Sequence, residues 1–159
     1  MAEPLKALIY RIHPAAKLPT KATSGSAGYD LYSIENYQLH IGRTIKVRTG
    51  LVIKPPPGYF SSIRGRSSLG SKYGIGIPHG LGTIDSDFSG SQDELIVILH
   101  RLIDEEKWGK ELIPPYVIKA GDRVAQLLFE CHQDILLEED SPEELLNGTS
   151  RGGLGSSGR

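Results

Sequence analysis

The chain has 159 residues with 18 basic and 19 acidic side chains, for a formal net charge of −1. This length suits one domain with its own core, and so small a net charge excludes a protein that gathers polyanions through an overall positive field. Any phosphate site must therefore be local, and we expect no nucleic-acid partner. The apolar runs are also too short to cross a bilayer, so we expect no membrane partner.

The cysteine content and the N-terminus bear on the compartment. The single cysteine, Cys131, excludes an intrachain disulfide, and no Cys/His spacing resembles a zinc site. The first residues, MAEP, lack the basic and apolar regions of a signal peptide. We therefore predict an intracellular protein, either cytoplasmic or nuclear.

Taken in chain order, the predicted elements are mostly short strands. Residues 45–53 alternate with period two, which predicts a half-buried strand. Similar signals predict strands at 6–12, 59–63, 95–99, 116–118 and 124–129. Turn-forming stretches such as PPPG at 55–58 separate these segments. Many short strands with this spacing predict an all-β barrel or sandwich.

One helix is predicted near the C-terminus. Ser141 could cap it, Pro142 would take the first helical position, and Glu144 would complete a capping box. The segment 100–115 is too long for a hairpin loop and is interpreted as a charged surface excursion. The last stretch, 151–159, is almost entirely Gly, Ser and Arg. Its amides could wrap a polyphosphate, and the alternative is a disordered tail.

The stretch 82–90 places Asp85, Asp87 and Phe88 between glycines that can turn the backbone sharply. We interpret it as a turn that presents an acid for chemistry. The alternative is a surface hairpin with solvated acids, because Asp-rich turns are common.

A basic stretch at 64–70, of sequence RGRSSLG, sets guanidinium groups beside hydroxyls and small residues. Such a loop can turn backbone N–H groups toward an anion, which suits phosphate. The alternative is a basic loop whose serines only cap a turn.

Two polar residues fall within apolar strand segments. Asp30 lies in the segment 27–33, where a carboxylate is costly unless it is paired or near a metal. In the strand after Asp122, alternation puts Arg123 on the face of Ala125 and Gln126 on the other face. The alternative for Gln126 is a solvated outward position.

Taken together and in chain order, five stretches resemble the five motifs of the trimeric dUTP diphosphatases. They are 27–33, 64–70, 82–90, the strand after Asp122, and 151–159. The resemblance implies an all-β, distorted jelly-roll-like barrel with one short helix over residues 1–150, followed by a flexible lid motif at 151–159. It also implies a homotrimer whose subunits share each active site. The implied activity is Mg²⁺-assisted hydrolysis of dUTP to dUMP and pyrophosphate, which limits uracil in DNA and supplies dUMP for dTMP synthesis.

The resemblance assigns roles to single residues. Asp85 matches the catalytic aspartate that activates the water attacking the α-phosphorus. Phe88 matches a usual tyrosine whose ring packs on the deoxyribose. Asp30 resembles the aspartate that organises the metal's water shell, an indirect contact through water. The other implied substrate-binding residues are Arg66, Ser67, Ser68, Gly70 and Gln126 for phosphates, His79, Gly82 and Ile84 for uracil, and Arg151, Leu154, Gly155, Ser156 and Ser157 for the lid.

The chain departs from the family pattern at two places. Leu154 stands in the last motif where an aromatic usually stacks on uracil, and its spacing from Arg151 is short. We therefore expect weaker base binding with the chemistry retained. Residues 91–93 also lengthen the arm that follows the turn. Two alternatives share the fold: a dCTP deaminase, and a non-enzymatic interaction or signalling protein.

Overall fold

The computed structural model describes residues 5–102 and 113–137. Within these ranges the chain forms eleven strands and one short helix. The elements are β1 Leu8–Arg11, β2 Tyr29–Tyr32, β3 Tyr37–Leu39, β4 Thr44–Arg48, β5 Leu51–Lys54, β6 Tyr59–Gly65, α1 Ser67–Tyr73, β7 Ile75–Gly76, β8 Gly82–Ile84, β9 Ile96–Arg101, β10 Tyr116–Ile118 and β11 Arg123–Cys131.

Four small antiparallel sheets surround one apolar core. Their strand orders are β2-β11-β6-β8, β4-β9-β7, β1-β5 and β10-β3. Each strand is too short to bury a core alone, so the sheets pack around residues such as Leu31, Val47 and Leu127, all buried. The arrangement is all-β, as the pattern of short strands predicted, and it is the distorted jelly-roll that the family resemblance implied.

The predicted strand at 45–53 is two strands, β4 and β5. The break falls at Gly50, whose φ of +68° is in the left-handed region that favours glycine. A Cβ there would lie 2.9 Å from the Cβ atoms of both Ala16 and His13. The alternation correctly predicted the buried Val47, Leu51 and Ile53, but Val52 is buried as well. The alternation also carried no sign of the bend.

A short helix lies in a stretch for which the sequence predicted a loop. The predicted helix at Ser141 lies outside the described residues, whereas α1 begins inside the stretch predicted to be an anion-binding loop. Its Ser- and Gly-rich sequence has low helix propensity. The helix is supported by the buried Leu69 and ends at Gly74, whose backbone is in the left-handed region. The N–H of Gly74 donates to the carbonyls of Leu69 and Gly70.

Strand β11 contains a register shift that the alternation did not predict. Arg123 pairs with Tyr32 and Ala125 with Leu31, so Val124 is an extra residue in this pairing. Both Val124 and Ala125 are buried. The prediction that Arg123 shares a face with Ala125 is therefore wrong, because the bulge turns it to the face of Gln126.

The segment 100–115 is described only at its two ends. Arg101 is buried, and its Nη1 donates to the carbonyl of Pro114 at 2.9 Å and to that of Leu39 at 3.4 Å. This side chain thus joins the strand before the segment to the chain after it. Among the described residues, no helix is long and apolar enough to span a membrane.

Candidate active site

A buried carboxylate lies between two arginines where β2, β6 and β11 meet. Asp30 is 4% exposed. Its Oδ1 lies 3.5 Å from Nε of Arg66, and its Oδ2 lies 3.3 Å from Nη1 of Arg123. A carboxylate removed from water needs such partners, since its desolvation would otherwise be large. We call Asp30, Arg66 and Arg123 the arginine cluster.

Gln126 lies on the same face of the sheet as the arginine cluster. It pairs directly with Asp30 on β2 and with Arg64 on β6, and directly opposed residues on neighbouring strands share a face. The next row, Leu31 and Ala125, points into the core. Gln126 therefore lies opposite the apolar face, as the alternation of β11 predicted.

Gly28 leaves room for this row of side chains. A Cβ at Gly28 would lie 3.3 Å from the Cβ of Gln126 and 3.2 Å from Cδ1 of Leu128. Because the Cβ of Gln126 is fixed by its backbone, a side chain at residue 28 would require β11 to shift by a few tenths of an ångström.

The serines predicted to contact phosphate lie at the start of α1. Arg66 precedes the helix with an extended backbone, and its Nη1 donates to the carbonyl of Arg123 at 3.2 Å. Ser67 and Ser68 form the first helical positions, whose N–H groups have no partner within a helix. Gly70 lies inside the helix, where its carbonyl accepts a hydrogen bond from Gly74, and not in an open loop.

A separate cavity of about 440 Å³ lies beside β8. Its lining includes three residues predicted to contact a base, His79, Gly82 and Ile84. Nδ1 of His79 lies 2.7 Å from the carbonyl of Leu81, so this nitrogen carries the hydrogen and donates it. The other lining residues are Ile63, Ile77, Leu81, Thr83, Ile96 and Ile98. The cavity is thus largely apolar with a polar edge, which suits a planar base.

The segments on either side of the Asp85 turn, β8 and β9, do not pair with each other as a β-hairpin. In the described part of the chain, β8 pairs with β6, whereas β9 pairs with β4 and β7. Leu95 donates its N–H to Leu51 at 2.7 Å, which draws the returning arm toward β5. One edge of β8 therefore keeps backbone donors and acceptors that a ligand can use.

The turn after β8 carries the predicted catalytic acid. Asp85 is exposed, and its carbonyl accepts the N–H of Phe88 at 3.2 Å. Phe88 is 43% exposed. Farther along, Asp93 Oδ2 accepts the N–H of Gly90 at 2.7 Å. The turn is thus shaped by its own hydrogen bonds, and it presents both an acid and an aromatic ring to solvent.

The returning end of this turn is anchored by Glu94. One carboxylate oxygen accepts the N–H of Gly50 at 2.8 Å, and the other lies 3.0 Å from Nε of Arg48. Arg48 also pairs with Glu35 at 2.9 Å. These contacts tie the end of the turn to the corner between β4 and β5.

The two groups of predicted residues lie at opposite ends of β6. Arg66 follows the last residue of β6, whereas Ile84, just before Asp85, pairs with Ser61 near its start. Asp85 lies one residue beyond this pairing, level with Phe60, so it is six residues from Arg66 along β6, or about 20 Å at about 3.3 Å per residue. One copy of the chain therefore does not bring Asp85 to the arginine cluster. The predicted lid residues Arg151, Leu154, Gly155, Ser156 and Ser157 lie outside the described residues.

Comparison with known proteins identifies the family. A family model described as dUTPase matches residues 15–103. The deoxyuridine 5'-triphosphate nucleotidohydrolase of Solibacter usitatus (strain Ellin6076) is 38% identical over 153 residues, covering 95% of this chain and 95% of that protein. The chain belongs to the dUTPase family. The enzyme of the same name from Mycobacterium tuberculosis (strain H37Rv) is 39% identical over 154 residues, 94% of this chain and 93% of that protein.

Solved dUTPase structures share the fold. A mutant of the Staphylococcus bacteriophage 80alpha dUTPase with dUpNHpp matches with a TM-score of 0.80 at 23% identity, covering 97% of this chain and 99% of that one. A mutant dUTPase from phage phi11 of S. aureus, described with a structural Mg(II) ion, matches with a TM-score of 0.72 at 21% identity, covering 85% and 96%. This dUTPase-family chain therefore has the family's β-fold, as the resemblance implied.

Arg123 lies beside Asp30 in the candidate site, and the sequence did not predict it there. Strict alternation assigned it to the core-facing side, and the bulge at Val124 reverses that assignment. The available signal was the pair of adjacent apolar residues Val124 and Ala125, which cannot both face the core in a regular strand. Asp30 was predicted to be paired or near a metal, and its partners in the structure are the two arginines.

Proposed function

We propose that this chain hydrolyses dUTP to dUMP and pyrophosphate. The observation that carries the proposal is the arginine cluster, a local positive site in a chain of net charge −1 that belongs to the dUTPase family. The reaction removes dUTP that could enter DNA and supplies dUMP for dTMP synthesis. The family match favours this function over both alternatives that share the fold.

The phosphates of dUTP bind at the arginine cluster. Arg66 is oriented by buried Asp30 and so needs little reorganisation to meet a phosphate oxygen. Gln126, on the same face, donates its amide near the α-phosphate. Ser67 and Ser68 add hydroxyl and backbone donors at the start of α1.

The base and the attacking water belong to the other end of the site. Uracil enters the cavity beside β8, where the free strand edge at Gly82 and Ile84 supplies backbone hydrogen bonds and His79 lies at the rim. Phe88 packs on the deoxyribose face. Asp85 holds a water molecule and accepts its proton as the oxygen attacks the α-phosphorus.

The residues fit Mg²⁺ only as an ion carried by the substrate. The described residues contain no group of three His, Cys, Asp or Glu side chains that could hold a metal, and both oxygens of Asp30 face guanidinium groups. Mg²⁺ keeps several waters and is commonly bound through phosphates and one or two carboxylates. Asp30 would therefore meet it through water. The ion supplies charge neutralisation on the phosphates.

The active site is shared between copies of the chain in a homotrimer. The separation of about 20 Å between Asp85 and Arg66 along β6 supports this assembly, since a phosphorus atom must lie close to both residues. A second copy that presents its Asp85 turn to the arginine cluster of the first completes the site. A cyclic trimer repeats this contact three times and closes.

Mixing two inactive variants tests both the activity and the sharing. Chains with Asp85→Asn keep the arginine cluster, and chains with Arg66→Ala keep the acid. In randomly mixed trimers, about one quarter of the sites would combine native Asp85 with native Arg66 from different copies. We expect pyrophosphate release from dUTP to recover to about that fraction after the two variants are denatured and refolded together.

Each outcome of this experiment has a distinct meaning. Each variant refolded alone is the matched control and is expected to stay inactive. Recovery near zero in confirmed mixed trimers would refute shared sites. No dUTP hydrolysis by the unmodified chain with Mg²⁺ present would refute the proposed activity itself.

A further inference from the structure

A third arginine, Arg64, faces the same side of the sheet as the arginine cluster. It pairs directly with Gln126, which pairs in turn with Asp30. It also precedes Arg66 by two residues, and the backbone of Arg66 is still extended, with φ −81° and ψ 129°. Alternate residues of an extended chain share a face. Arg64 therefore starts from a position next to the residues proposed to bind phosphate.

The guanidinium of Arg64 is nevertheless turned away from Gln126. Its Nη2 donates to Oε1 of Glu130 at 2.9 Å. Glu130 lies four residues beyond Gln126 on β11 and pairs with Phe60, toward the other end of β6. The buried Ser62 donates its hydroxyl to the same oxygen, which fixes the position of the carboxylate.

The contact between Arg64 and Glu130 is open to water. The side chains are 48% and 34% exposed, respectively, and ion pairs with such exposure are weak. A triphosphate offers several negative charges and oxygens that match the guanidinium fork. Ser62 continues to donate to Glu130 after Arg64 has left, so the carboxylate is not stranded.

We propose that Arg64 is a further phosphate-binding residue of this site, and that Glu130 holds it away until the substrate's phosphates compete for it. The inference rests on the proposed function, since it assumes that phosphates bind near Arg66 and Gln126. It assigns Glu130 as a positioning residue that acts through Arg64. Arg64 and Ser62 hold the pKa of Glu130 below its usual value, so the carboxylate is charged at neutral pH and the competition is between two anions.

The proposal requires opposite effects from two substitutions. Binding of a non-hydrolysable imido analogue of dUTP to the full chain with Mg²⁺ is measured by calorimetry at fixed salt. Arg64→Gln is expected to raise the dissociation constant about tenfold, because a charge-assisted hydrogen bond is lost. Glu130→Gln is expected to lower it about two- to fivefold, because Arg64 is freed from an exposed ion pair.

The double variant and two controls complete the test. Arg64→Gln combined with Glu130→Gln is expected to bind like Arg64→Gln alone, since Glu130 acts only through Arg64. Arg43→Gln removes an exposed arginine that lies just before β4 and is expected to bind like the unmodified chain. Arg64→Lys keeps the charge and is expected to recover most of the affinity.

The outcomes separate this inference from the proposed function. If the unmodified chain does not bind the analogue, the proposed function fails. If it binds and Arg64→Gln behaves like Arg43→Gln, or Glu130→Gln weakens binding, this inference is overturned. A purely structural role for the pair would weaken binding in both single variants. Should Arg64→Gln fail to fold, the gain in affinity expected for Glu130→Gln still decides the matter.

Discussion

The arginine cluster and the Asp85 turn are built in opposite ways. Asp30 is 4% exposed and each of its oxygens faces an arginine, whereas Asp85 is exposed and forms no salt bridge in the described part of the chain. The cluster is held by side chains from two paired strands, β2 and β11, and from the residue that follows β6, whereas the turn is held mostly by its own backbone hydrogen bonds. The first region is organised before any ligand arrives, and the second is open to solvent.

Under the proposed function, this difference matches the separate roles of the two regions. Positive charge that must meet a phosphate is most effective when it is already oriented, since no reorganisation is then needed during the reaction. An acid that activates water needs access to water first and enclosure later. Under the proposed function, one copy builds the phosphate side within itself and leaves its acidic turn on the surface, available to a second copy.

The largest expected effect comes from removing the acid of the turn while leaving the arginine cluster unchanged. Asp85→Asn should lower turnover by about 10²- to 10⁴-fold, because the general base is lost. Binding of a non-hydrolysable dUTP analogue should be nearly unchanged. Pyrophosphate release under single-turnover conditions measures the rate.

Asp87 provides the matched control for this substitution. It lies in the same exposed turn, two residues later. Asp87→Asn removes the same charge and should leave most of the turnover. Equal losses in the two variants would contradict the assignment of Asp85 and favour a general electrostatic effect of the turn.

Breaking the cluster should affect stability as well as binding. Asp30→Asn removes the charge that both arginines face, so the free energy of unfolding should fall by about 1.5 to 3 kcal/mol. The dissociation constant of the dUTP analogue should rise, because Arg66 is no longer oriented. Urea unfolding and calorimetry measure the two quantities.

The comparison with exposed acids makes this prediction specific. Asp134→Asn changes an exposed aspartate outside both regions and should alter neither quantity. Asp85→Asn should leave the unfolding free energy within about 0.5 kcal/mol of the original, as surface changes usually do. If Asp30→Asn were as harmless as Asp134→Asn, the cluster would not be the organised region described above.

The smallest expected effect is on the pH dependence of stability, and it involves Glu130, which lies on the same face of β11 as Gln126. Hydrogen bonds from Arg64 and Ser62 lower the pKa of Glu130 in the folded chain. A lowered folded-state pKa contributes stability that is present above the unfolded-state value and is lost as pH falls through the folded-state value. The contribution of Glu130 should therefore be complete at neutral pH and should fade below about pH 4.5.

Denaturant unfolding of the chain and of Glu130→Gln at pH 7 and pH 3.5 tests this sign. The unmodified chain should be the more stable at pH 7, and the difference should shrink at pH 3.5. A difference that grows toward low pH would contradict the lowered pKa. Because Glu130 is exposed to water, the effect should be small beside that of Asp30→Asn.

Much of the fold was predictable because it depends on local patterns. Alternation and turn residues predicted the segments that became β1, β6, β9, β10 and β11 to within a few residues. Three features that the sequence did not predict share a cause. The helix α1 is stabilised by the packing of Leu69, and the break at Gly50 is required by the close approach of Ala16. The bulge at Val124 arises in the pairing of β11 with β2. Each depends on neighbours that are distant in sequence.

The sequence by itself determined which chemical groups the protein has: an acid between glycines, a basic stretch with serines, and an aspartate within an apolar strand. It also determined the order of the motifs along the chain, which is typical of the dUTPase family. Only the tertiary structure decided which of them meet. Strand register brought Asp30, Arg66 and Arg123 together from three parts of the chain and kept Asp85 about 20 Å from Arg66 along β6. Register is fixed by burial of one sheet face and by pairing between distant strands, and neither is expressed in any single stretch.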